Sequence, residues 1–135
     1  VIGAILTVVG FAAFGEHPRN IVPIMAGVFL GSLAKPWGVD DPSILLAALF
    51  GTALGPIAGR FGWHWGVVAG FIHSSAALSV GPVHAGLNLY NNGFAAGIVA
   101  AVLVPVIVAI QSRTQPGREP PGPSGAESAA ARVDR

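Results

Sequence analysis

The chain has 135 residues, a hydrophobic share of 53% and a charged share of only 10%, against roughly a quarter charged in a soluble domain. Before Gln111 the only charged residues are Glu16, Arg19, Lys35, Asp40, Asp41 and Arg60, too few for a water-facing surface, which is about 25–35% charged. A net charge of +1 offers no basic stripe for nucleic acid, and the absence of cysteine excludes disulfides, thiolate metal sites and cysteine nucleophiles.

Residues 1–110 are therefore expected in a bilayer, as an all-α, polytopic transmembrane helical bundle of about five short spans. The apolar runs are Val1–Phe14, Ile21–Leu33, Ile44–Ile57, Trp65–Val80 and Phe94–Ile110. The first, VIGAILTVVGFAAF, has neither the basic region nor the small-residue cleavage site of a secretory signal. It is also shorter than the ~20 residues of a full span. The expectation is the end of a helix that begins upstream, making this chain the C-terminal part of something longer. A short interfacial or signal-like helix is the plainer alternative.

The joints between runs are GEHPRN, KPWGVDDPS, GRFGWH and the stretch from Gly81 to Gly93. No run shows a polar face at helical spacing, which suits helices that are apolar all round. Short spans interrupted by glycine and proline mark transporters and channels built from broken helices. Fraying into interfacial Trp37, Trp63 and Trp65 is the competing explanation. Arg19, Arg60 and the basic end from Arg113 fall on alternate joints, so the positive-inside rule puts them and the C-terminus in the cytoplasm. An odd number of spans, duplicated, yields two halves of opposite orientation, the inverted-repeat architecture; the chain itself holds no convincing internal repeat. Residues 111–135, with Pro116, Pro120, Pro121 and Pro123, change character and are expected to be a disordered tail.

Glycines recur at i, i+4 in Gly27/Gly31, Gly51/Gly55, Gly55/Gly59, Gly62/Gly66, Gly66/Gly70 and Gly93/Gly97. In lipid, such spacing lets helix backbones approach closely, which favours a packed bundle over independent anchors.

The polar residues gather between Phe71 and Gly97, in FIHSSAALSVGPVHAGLNLYNNGFAAG. Ionisable and amide groups at membrane depth usually face the bundle interior or a watery cavity. His73, mid-span, is either a neutral imidazole bonded to a neighbouring helix or a group that lines a pore, binds solute or relays protons. From Pro82, a good first-turn residue, His84, Asn88 and Asn92 recur every four residues on one helical face. An Asn91-Asn92-Gly93 turn is then expected to end that element before Phe94. Two readings of the stretch stand: an exterior loop whose asparagines cap helices, or a re-entrant half-helix presenting amides to a polar solute. Thr52, in FGTALGPIAG, is expected to bond backbone near a kink at Pro56, or to sit beside a solute.

Enzyme readings fail on spacing. His73, His84, Ser74 and Ser75 have no nucleophile elbow and no orienting carboxylate. His17, His64, His73 and His84 have no metal-ligand spacing, so no metal or other cofactor is expected. Asp40–Asp41 beside Pro42 reads as a helix N-cap.

At FGTALGPIAG (Phe50–Gly59) and HAGLNLYNNGFAAGIVA (His84–Ala100), supported by GFAAFGEHPRNIVPIMAG (Gly10–Gly27) and WGVVAGFIHSSAALSVG (Trp65–Gly81), the chain resembles a bacterial multi-pass membrane family known only as domain of unknown function 1576. The likeness runs from Val1 to about Pro105. It implies members about twice as long and internally duplicated, with this chain similar to the C-terminal repeat half. It supplies no activity and no site residues. Gly55 stands before Pro56 where the resemblance leads one to expect alanine, a small-for-small change.

The expected function is half of a small-solute transporter or channel in the cell membrane. Its constriction would be formed by His73, His84, Asn88, Asn91 and Asn92 with Thr52, and its partners would be the lipid bilayer, a missing N-terminal half or second copy, and a small polar solute. With no carboxylate inside the apolar runs, neutral solutes or anions at half-helix N-termini are favoured over a pumped cation. The alternative is a non-transporting scaffold or sensor subunit whose glycines and asparagines serve packing alone.

Overall fold

A computed structural model describes residues 2–35, 42–80 and 91–114, and all regular structure among them is helical. The elements are α1 (Ile2–Ala12), α2 (Pro18–Leu33), α3 (Pro42–Gly51), a 3₁₀ turn (Thr52–Leu54), α4 (Gly55–Phe61), α5 (Trp63–Ser79) and α6 (Asn91–Thr114). Since α3, the turn and α4 form one continuous segment, Pro42–Phe61, the five apolar runs of the sequence correspond to five helical segments. The chain divides into two compact units at Pro105, within α6. The bundle belongs to the first unit; of the second, the described part is the end of α6, residues 106–114.

Local chemistry explains the boundaries. Pro18 opens α2, where its missing N–H leaves no bond unmade. The backbone N–H of His17 instead donates to Asn20 Oδ1 at 2.9 Å. The interruption after Gly51 follows from Pro56. In an unbroken helix the N–H of residue 56 would bond the Thr52 carbonyl, and proline has none. The Gly55 N–H takes that carbonyl instead, tightening the chain into a 3₁₀ turn. Gly62, at φ 106°, reverses the chain sharply between α4 and α5, in the region that a Cβ disfavours.

Asn91, Asn92 and Gly93 lie in the first turn of α6 rather than in a turn that precedes it, as the sequence suggested. Their amides cost little helix propensity at that position, and the apolar run behind them carries the helix on for 24 residues, four past Ile110.

Contacts fix the directions. Gly66 meets Pro23, Gly70 meets Ile24, Gly27 meets Val67 and Phe71, and Gly31 meets Ser74. Both numbers rise together, so α2 and α5 run parallel. Between them in sequence, Pro42–Phe61 runs the other way. Ala47 and Ala77 share a cluster with Val28, Ile44 and Ala95, Gly51 faces His73, and Ala58 faces Gly66.

The inside mixes branched apolar residues, Ile24, Val28 and Leu54, with small and polar ones: Ala47, Ala69, His73 and Ser74 are 0% exposed, and Thr52 is 1% exposed. Large apolar residues face outward, among them Leu6, Val22, Phe29, Leu33, Phe94 and Val102. Pro42–Phe61 and Asn91–Thr114 are long and apolar enough to cross a membrane, at about 30 and 36 Å by helical rise.

Candidate functional site

Two polar groupings lie inside the first unit, joined through Gly51. One is built on α5. His73 is fully buried, and its ring seats against Gly51. A Cβ there would stand 2.9 Å from His73 Cδ2 and 3.3 Å from Nε2. The ring makes a backbone hydrogen bond with Ala47, although neither ring nitrogen meets strict hydrogen-bond geometry with a described residue. A poorly satisfied buried polar group costs about 1–3 kcal/mol, which marks His73 as a residue held at a cost to packing.

Ser74, also fully buried, donates to the Phe71 carbonyl at 2.8 Å. Lys35, just past the end of α2, reaches along α5 to donate to Ser74 Oγ at 2.9 Å and to the Phe71 carbonyl at 3.3 Å. Its ammonium lies 4.6 Å from the centre of the Phe71 ring, a cation–π distance. Burial pulls the Lys35 ammonium below the usual lysine range, since losing water disfavours the charged form.

The second grouping sits where the α1–α2 joint meets the broken helix. Glu16 is 8% exposed and Asn20 6% exposed. Asn20 ties down the joint, with Nδ2 donating to the Gly15 carbonyl at 3.1 Å and Oδ1 accepting from His17 N–H. Its amide rests on Gly55 and Gly59, where an added Cβ would lie 3.6 Å away. Glu16 makes a side-chain hydrogen bond to Thr52, while its Oε2 has no partner among the described residues. Burial pushes the Glu16 carboxyl up, and the Thr52 bond opposes that in smaller measure. Thr52 Oγ1 itself donates to the Leu49 carbonyl at 2.7 Å, within the tightened turn.

Of the residues singled out from sequence, His73 and Thr52 come together on either side of Gly51. Asn91 and Asn92 are half-buried, each with its side-chain oxygen unpartnered among the described residues. No hydrogen bond among the described residues joins them to His73 or Thr52. His84 and Asn88, and with them the proposed half-helix, lie outside the described residues, as does the tail from residue 115.

Glu16, Asn20, Ser74 and Lys35 were missed as a group. Glu16 lies in a joint outside the apolar runs, so the argument from their lack of carboxylates passes over it; its burial weakens the case against a pumped cation. A signal existed: Asn20, Gly27 and Gly31 fall at spacings of seven and four on one face of α2, so the glycine stripe points back to the carboxylate. Among the described residues no group of three or more His, Cys, Asp or Glu side chains is placed to hold a metal ion.

A family model described as "Protein of unknown function (DUF1576)" matches residues 1–109, most of the chain. No curated protein and no solved structure matches it.

Proposed function

The chain belongs to the DUF1576 family, whose description names no activity, and from that premise we propose that it is an integral, multi-pass membrane protein forming half of a small-solute transporter or channel. Lipid as solvent is supported by large apolar residues exposed on α1, α2 and α6: Leu6, Val22, Phe29, Leu33 and Val102 suit acyl chains and are exposed to no purpose in water. Five segments with Arg19 and Arg60 at one end favour a cytoplasmic C-terminus by the positive-inside rule. A second half, from an upstream repeat or another copy, would supply the opposite wall.

The observation that carries the transport reading is the fully buried His73, without a well-formed hydrogen bond among the described residues, beside a helix broken at Thr52–Leu54. Irregular backbone and unpaired polar groups are tolerated at membrane depth where they line a watery path. Thr52, His73 and the amides of Asn91 and Asn92 would replace part of the hydration shell of a neutral polar solute; His84 and Asn88 belong to the same proposal from sequence alone.

The test is flux into proteoliposomes holding the protein, across neutral polar solutes and small anions. Solute entry above protein-free vesicles, lost in His73→Ala while the variant stays folded, is the expected result. Vesicles that remain sealed to the whole panel overturn it. The scaffold reading draws on one specific observation: α2 and α5 touch backbone to backbone at Gly27 and Gly70, which leaves no passage between that pair. Sealed vesicles around a stably folded bundle would favour it.

A further inference from the structure

We propose that Glu16 is a proton-exchange site, a buried carboxylic acid that releases its proton to water and takes it back beside the break in the third helical segment. Its use as the coupling ion of a transport cycle rests on the transport reading; the exchange itself does not.

Three observations converge on Glu16. It is more than nine-tenths buried and its Oε2 is unpartnered among the described residues. An anionic oxygen in that position would be desolvated without compensation, whereas the neutral acid has only one hydroxyl to satisfy. The second is donor arithmetic at Thr52. Its hydroxyl owns a single proton, and that proton goes to the Leu49 carbonyl. With that proton committed, Thr52 can give a Glu16 carboxylate only weak stabilisation, so its bond offsets the burial only in part. The third is the helix break, which sets Thr52 against Glu16 and fixes its hydroxyl in a turn that Pro56 enforces.

The surroundings leave the site uncompensated yet accessible. Among the described residues no cation forms an ion pair with Glu16. Both ends of the Asn20 amide are committed to the backbone of the joint. On the adjacent elements, α1, α3 and the 3₁₀ turn carry no titratable side chain; Arg60 of α4 and His64 of α5 are exposed, and His73 lies beyond Gly51. His17, next to Glu16 in the chain, is exposed and lines an open depression with Pro18 and Arg19, which is the side from which water would reach the carboxyl. The O–H bond breaks toward that side, leaving the carboxylate, and reforms from it.

Infrared spectroscopy of the reconstituted protein reads this without any transport assay. The expected result is a protonated-carboxyl C=O band that vanishes in Glu16→Gln, titrates above the ordinary glutamate range, shifts in frequency in Thr52→Val and returns in Thr52→Ser. Should Glu16→Gln not fold, ¹³C-glutamate labelling of a Glu119→Gln, Glu127→Gln chain leaves Glu16 the one labelled carboxyl. A labelled carboxyl that titrates in the ordinary glutamate range or below it overturns the proposal. A Glu16 acid band in vesicles that stay sealed supports proton exchange and counts against transport; solute flux with no such band does the reverse.

Discussion

The α2–α5 seam makes a sharp prediction because the same substitution should act with opposite sign at two glycines. A Cβ placed at Gly70 falls onto the Ile24 carbonyl oxygen, 2.9 Å from its carbon and 3.1 Å from Ile24 Cα. These are backbone atoms, so no rotamer change relieves the overlap and the helices must part by about 1 Å, loosening the Gly27 and Gly66 contacts as well. Overpacking costs about 1–3 kcal/mol, and a rigid clash of this kind falls near 3. The alanine returns about 1 kcal/mol in helix propensity. The net loss for Gly70→Ala is about 2 kcal/mol, roughly thirtyfold in the folding equilibrium. At Gly97 nothing lies within 4 Å of the added carbon, so only the propensity gain remains and Gly97→Ala should be neutral or stabilised by up to about 1 kcal/mol. Unfolding in mixed micelles, followed by far-UV circular dichroism, measures both. If the two variants shift the same way, or Gly70→Ala matches the parent, the seam is not where the helices meet.

Gly62→Ala should lose about 1–2 kcal/mol in the same assay, because φ 106° strains any Cβ and the added carbon would also meet His64 Cε1 at 2.9 Å. His73→Leu should fold about as stably as the parent while losing solute flux, since neither ring nitrogen has a well-formed hydrogen bond among the described residues; a clear drop in stability would show that the Ala47 backbone contact holds the bundle together. For Glu16 the sign follows from its raised pKa. The protonated form is favoured by folding, so the stabilisation is full below the ordinary glutamate value of 4.5 and is lost as pH rises through the folded-state value. Glu16→Gln should flatten that limb of the unfolding profile, and an unchanged profile would refute the assignment.

Composition made the helical segments legible, because six charges ahead of Gln111 and continuous apolar runs leave few other structures. The glycine spacing was legible only in part. Gly27/Gly31 and Gly66/Gly70 do form the close seam, whereas Gly93 and Gly97 meet nothing within 4 Å and Gly62 serves a turn. Spacing reports that a face is small; whether a helix lies on it depends on the rest of the bundle. The break at Thr52 was readable from Pro56, since a missing N–H acts four residues back whatever the tertiary context. The asparagines at the start of α6 were misread as a turn because their preference for turns is weak beside the 24-residue helix that absorbs them.

Burial was the quantity that chain position hid. Glu16 lies in a joint between apolar runs, where a charged side chain reads as solvent-exposed. Yet α1 has 11 residues, and the joint that follows packs against Thr52, the eleventh residue of a 20-residue segment. The carboxylate is therefore buried against the break in its neighbour, while His17 and Arg19 of the same joint stay exposed. The stripe from Asn20 through Gly27 to Gly31 carries the same message in another form, because the face that admits a neighbouring backbone also seats the polar side chains that remain out of water. Close packing and polar chemistry thus occupy one surface of α2. A substitution that parts the helices at Gly70 should for that reason also disturb the Glu16–Thr52 contact, although neither residue touches Gly70, and the infrared band of Glu16 would register it.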